Sequence, residues 1–166
     1  LGAEKFLDIK CRAAGIKPSL VVMVATIKAL KMHGGQAFED LAIENVEALE
    51  KGMPNLERHL KTIEKYGLPV MVAINHFDQD TQKEIEFVEK WCEEKGYEYS
   101  FVDSFNNGGD GSIDLAKKVV ARLAKKESKY HPIYDLKDDL VMLARRSIDT
   151  KFFHMDKNTE KPVYCL

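Results

Sequence analysis

Apolar and polar positions along the chain follow two periods that alternate. LVVMVATI at residues 20–27 and LPVMVAIN at 68–75 are unbroken apolar runs of strand length. Each is read as a parallel strand buried on both faces. YEYSFVDS at 97–104 alternates instead, which predicts a third strand nearer a sheet edge. Between the runs the spacing is helical. LGAEKFLDIKCRAAG sets Phe6, Ile9 and Lys10 on one side, with Gly15 as the stop. A long helical region spans residues 40–66, and Pro54 is expected to split or kink it. QDTQKEIEFVEKWCEEKG puts Ile85, Val88 and Cys92 on one face, with Asp78 a candidate cap. SIDLAKKVVARLAKK is a further helix whose basic last turn suits its dipole. KALKMHGG, after the first strand, reads either as a flexible turn or as a glycine-rich approach to a ligand.

Strands separated by helices of this length form βαβ units. The predicted fold is α/β: a three-layer, Rossmann-like domain with a mainly parallel sheet. In such sheets ligands bind at the carboxyl ends of the strands. Those ends are residues 26–28, 75–78 and 103–105. Asn75 brings a side-chain donor and acceptor to one of them. His76 reads as a solvated loop residue with a pKa range open to acid–base work. Phe77 and Phe105 occupy matching places after the second and third strands, and adjacent strand ends lie roughly 5 Å apart. The two rings either clamp a flat heterocycle or pack against one another. NNGGDG at 106–111 precedes a helix, a setting for anions, yet neither GxxxxGK[ST] nor GxGxxG occurs in the chain.

Composition narrows the rest. The 166 residues suffice for one sizeable core, and a net charge of -2 gives no reason to expect nucleic-acid or anionic-membrane partners. Three scattered cysteines, Cys11, Cys92 and Cys165, read as reduced thiols of a cytoplasmic protein, with no metal site expected. No apolar run reaches the ~18 residues of a membrane span. Leu1 at the start leads to the expectation that the chain begins inside a longer protein.

Several strings together are familiar. LGAEKF, KCRAAGIKP, VATIKALKMHGG, ENVEALEKGMPNLERH, GLPVMVAINHFDQDT and GGDG, in this order, resemble formate–tetrahydrofolate ligase, also called formyltetrahydrofolate synthetase. The motifs run from Leu1 to about residue 140. The resemblance implies a fold related to P-loop nucleotide-binding proteins. It also implies a reaction that joins formate to tetrahydrofolate at the expense of ATP, through formyl phosphate, giving 10-formyltetrahydrofolate. ATP and Mg²⁺ are implied for the full-length enzyme, and this chain, without a P-loop, is expected to hold neither tightly.

By the same resemblance, Phe77 and Phe105 line the pocket for the pterin ring, Phe105 standing where the family usually has Trp. The family has Pro or Lys after the first aromatic, so Asp78 departs from it and is not assigned to binding. Asn75 faces the nucleotide by analogy with related folds. His33, Gly34 and Gly35 match the family's HGG and are held as pocket candidates, with catalytic residues left unassigned.

The expected organisation is a Rossmann-like domain over residues 1–140 and a divergent tail over 141–166, poorly packed from Lys151 onward. The expected partners are tetrahydrofolate, formate, ATP and the rest of the parent polypeptide, with a homo-oligomer as a further option. The leading reading is the folate-binding side of the ligase, inactive alone. Two rivals remain: a non-catalytic module that binds a partner or the parent oligomer, and a nucleotide-dependent regulator.

Overall fold

The computed structural model describes residues 2–138 and two short strands, Phe153–Met155 and Pro162–Tyr164. The chain divides into two compact units, one of residues 1–17 with 130–166 and one of residues 18–129.

In the first unit a helix α1 runs through Gly2–Glu4, a π-helical Lys5–Cys11 and Arg12–Ala14. Gly15 stops it in the left-handed conformation, as its sequence position predicts. The inward face is Leu7, Asp8 and Cys11, whereas Phe6 and Ile9, expected on the packed side, are exposed. The wider π winding moves the inward stripe away from the one a regular helix would present. Segment 130–138 is strapped to this helix: Ile133 N–H donates to Asp8 Oδ1 at 3.2 Å, and the Arg12 guanidinium donates to the Tyr134 carbonyl at 2.6 Å.

The second unit contains the sheet. Strands β1 (Val21–Ala25), β2 (Val70–Asn75) and β3 (Tyr99–Val102) are all parallel in the order β1-β2-β3. With the helices α2 (Ile27–His33), α3 (Val46–Lys65), α4 (Gln82–Lys95), α5 (Ser104–Asn107) and α6 (Ile113–Ala124), they make a Rossmann-like α/β domain. β2 is the central strand, and its five apolar residues are buried as the unbroken run predicts. β1 carries the same kind of run but stands at an edge, with Val24 64% exposed. A strand's central or edge place depends on the neighbours it receives, not on its own composition.

α3 packs on β1 and β2, α4 on β2 and α6 on β3. α3 continues unbroken through Pro54, so of the expected split or kink the split does not occur. Its buried stripe, including Leu49, Met53, Leu56 and Leu60, supplies the packing that offsets a lost backbone hydrogen bond. Within KALKMHGG the residues through His33 belong to helix α2, and the two glycines form the turn that follows it; Thr26 caps the helix by accepting from the Ala29 N–H at 3.2 Å. α2 lies antiparallel against the start of α3. A Cβ on Gly34 would come within 1.7 Å of the Ala48 carbonyl oxygen, and one on Gly52 within 1.9 Å of that of Leu30. Only glycine permits so close a backbone approach. In the α4 face, Ile85, Val88 and Cys92 are buried as read from the spacing. Its cap is Thr81, not Asp78: TQKE forms a capping box, and the helix starts at Gln82.

β4 (Phe153–Met155) and β5 (Pro162–Tyr164) pair antiparallel in the first unit. The expected loose packing of the tail concerns residues that otherwise lie outside those described.

Candidate functional site

The carboxyl ends of β2 and β3 carry the candidate site, and backbone pairing fixes their relation. Asn75 is in register with Val102, and the next residue, His76, donates its N–H to the Val102 carbonyl at 2.8 Å. From there the two strands release two loops, 76–81 and 103–112.

The first loop is a tight turn around exposed Asp78 and Gln79. Phe77 N–H donates to Asp80 Oδ2 at 2.8 Å, and Asp80 N–H donates to the Phe77 carbonyl at 2.8 Å. Phe77 is half-buried, with Lys28 Nζ 5.2 Å from its ring centroid. His76 is not the solvated residue expected: its side chain is 18% exposed, its ring lies 5.1 Å from that of Phe101, and its Nδ1 is 3.6 Å from Asp80 Oδ2. Burial pushes the Asp80 carboxyl above its ordinary range, while the Phe77 N–H, His76 and Lys28 pull the other way.

The turn is anchored below by a buried ion pair that sequence reasoning did not single out. Lys31 Nζ and Glu84 Oε1 stand 2.8 Å apart with both side chains 0% exposed. Lys31 also donates to the Ile43 carbonyl at 3.0 Å; Glu84 accepts from the N–H groups of Asn45 at 2.9 Å and Thr81 at 3.1 Å. Burial raises the Glu84 pKa, but these donors outweigh it and hold the carboxyl below its usual range. The TQKE capping signature was the available signal for Glu84; nothing local announces that Lys31 is its partner.

The second loop carries Phe105 in the short helix α5, 76% exposed. Asp103 organises it, accepting from Asn106 at 3.0 Å and Asn107 at 2.7 Å. Gly111 closes the loop: Asp103 N–H donates to its carbonyl at 3.1 Å, and a Cβ there would lie 2.1 Å from the Asp103 oxygen. The last glycine of GGDG therefore serves loop closure. Asp78 joins the two loops by accepting from Asn106 Nδ2 at 2.8 Å.

The structure thus brings Asn75, Phe77 and Phe105 to neighbouring strand tips. Among the described residues the ring pairs in contact are His76–Phe101 and Trp91–Tyr97, so Phe77 and Phe105 do not cover one another. His33 is the exposed last residue of α2, Gly34 packs on α3, and Gly35 follows in the turn. Among the described residues no group of three or more His, Cys, Asp or Glu is placed to hold a metal ion. The string GxxxxGK[ST] does not occur in the sequence. No described helix is long and apolar enough to cross a membrane.

A three-stranded parallel sheet flanked by helices, with aromatic residues in the loops at two adjacent carboxyl tips, defines a Rossmann-like α/β domain. The sequence model of formate–tetrahydrofolate ligase matches residues 1–157, nearly the whole chain and past the point at residue 140 where the recognisable strings end. The protein belongs to the formate–tetrahydrofolate ligase family. That family works on formate, tetrahydrofolate and ATP in one-carbon metabolism.

Proposed function

We propose that this chain forms the tetrahydrofolate-holding side of a formate–tetrahydrofolate ligase acting in the cytoplasm. Phe77 and Phe105 stack on the pterin, and Asn75 meets polar edges of the ligands at the same strand tips. The observation that carries this reading is a half-buried ring, Phe77, and an exposed one, Phe105, that do not stack on one another, in the loops of two adjacent strands joined by the Asp78–Asn106 hydrogen bond. A half-buried and an exposed phenylalanine lose water when a planar ring lies on them, and offset stacking adds to that gain. The place of His33, Gly34 and Gly35 in this reading is the rim around α2, without an assigned contact.

ATP and formate are substrates in this scheme and formyl phosphate the intermediate between them, handled by residues this chain does not supply. A chain without a P-loop Lys or a P-loop Ser/Thr lacks the groups that neutralise phosphoryl oxygens, so by itself it is inactive. Calorimetric titration of tetrahydrofolate into wild type and the Phe77→Ala/Phe105→Ala double variant tests the proposal. Each lost ring is expected to weaken binding about fivefold. Equal affinity sinks the stacking role, and ATP-dependent turnover by the chain alone sinks its inactivity. A non-catalytic module is the second reading, favoured by the exposed apolar edge at Val24; self-association together with no folate binding would support it.

A further inference from the structure

Asp80 holds the Phe77 backbone on both sides. Its carboxylate accepts the Phe77 N–H and its own N–H satisfies the Phe77 carbonyl, each at 2.8 Å. These two bonds close the turn and leave the phenyl ring only its side-chain torsions. Asp80 is followed by Thr81, whose capping box fixes the loop to the first turn of α4. One face of the ring is already occupied by Lys28 Nζ at 5.2 Å. A ligand therefore has a single face available, at an angle set by the turn.

We propose that Asp80 is a positioning residue: it presents the free face of Phe77 to a planar pterin-type heterocycle in a fixed orientation. The proposal rests on the folate-side reading above. Two observations separate it from plain structural support. The Asp80 side chain is 1% exposed, yet among the described residues its Oδ1 has no hydrogen-bond partner, and neither has the buried His76 Nδ1 3.6 Å from Oδ2. A carboxylate kept so dry and only partly satisfied is costly to the fold. The charged groups around it are His76 from the β2 tip, Lys28 from α2 and Glu84 from α4. Their net effect with burial raises the carboxyl pKa, so the ionised group subtracts from stability at neutral pH. A residue retained for stability alone would gain by being apolar. Preorganising the ring instead lowers the ordering cost of binding.

The test uses the full chain with Asp80→Ala, Asp80→Asn and Phe77→Ala. Asp80→Ala is expected to weaken tetrahydrofolate binding about two- to tenfold, the range for one side chain left to be ordered on binding. Asp80→Asn, whose amide oxygen still accepts the Phe77 N–H, is expected to restore most of it. Amide NMR gives a ligand-free readout: the Phe77 N–H resonance follows the Asp80 titration in wild type, loses that carboxyl step in Asp80→Asn while any response to the neighbouring His76 remains, and exchanges faster in Asp80→Ala. If Asp80→Ala binds as wild type while Phe77→Ala does not, or if the Phe77 amide is unmoved in Asp80→Ala, the positioning role is overturned. If Phe77→Ala binds as wild type, the stacking reading itself falls and this proposal loses its ligand.

Discussion

Replacing Lys31 by Met is the sharpest test of how the strand-tip loops are held. The ammonium is fully buried and satisfies Glu84 Oε1 at 2.8 Å and the Ile43 carbonyl at 3.0 Å. Met fills a similar volume, so the loss is electrostatic rather than a cavity. Removing one partner from a buried ion pair costs about 3–5 kcal/mol, because the other charge stays desolvated. Glu84 keeps the N–H groups of Asn45 and Thr81, which places Lys31→Met at the lower end, about 3 kcal/mol. For a unit of this size that corresponds to a fall in Tm of about 10 °C. The assay is urea unfolding followed by circular dichroism at pH 7 and at acid pH.

The pH dependence has a definite sign. The folded-state pKa of Glu84 is depressed below its ordinary 4.5, so its contribution is present above that value and is lost as pH falls through the lower folded pKa. The wild type loses the ion pair on acidification, and the deficit of Lys31→Met must narrow there. A variant within about 1 kcal/mol of wild type at pH 7, or a deficit independent of pH, refutes the account of a desolvated, charged pair.

Two further outcomes follow from packing and burial. Gly34→Ala drives a Cβ against the Ala48 carbonyl at 1.7 Å, in a backbone whose φ of -83 is otherwise ordinary, so calorimetry should show a loss of about 2–3 kcal/mol. Gly109→Ala, with nothing within 4 Å, should stay within about 0.5 kcal/mol of wild type. The Cys92 thiol is pushed up to about 12 by burial first and by Glu89 and Glu93 next. Alkylation with peptide mapping should find Cys92 unlabelled in the native state and labelled after denaturation; native labelling would contradict its burial.

Much of the fold was legible because it rests on local pattern. The unbroken run at 70–75 announced a buried parallel strand, and Ile85, Val88 and Cys92 announced the inner face of α4. The strand tips followed from the βαβ order, and Phe77 and Phe105 stood out there. Less legible were features decided by what another segment brings. β1 looks like β2 in composition, but among the described residues it is an edge strand and Val24 on it is exposed. The helix that precedes the glycine turn of KALKMHGG was not announced, because its inward contacts come from α3 and Glu84, remote in sequence. Pro54 promised a break that the buried stripe of α3 overrides.

The same division holds at the site. The residue types and their order along the chain are enough to locate the tips of β2 and β3 and to mark two aromatic rings and an amide there. They also carry the family resemblance, since motif spacing survives in a linear string. Tertiary structure alone decided that His76 packs against Phe101, that Asp78 ties the loops together through Asn106, and that Asp80 holds Phe77. It also made Lys31 and Glu84 partners in the dry interior. The physical reason is range. Hydrophobic period and capping are settled within a few residues, whereas the strength of a charge or hydrogen bond depends on who excludes water from it, and only the folded chain determines that.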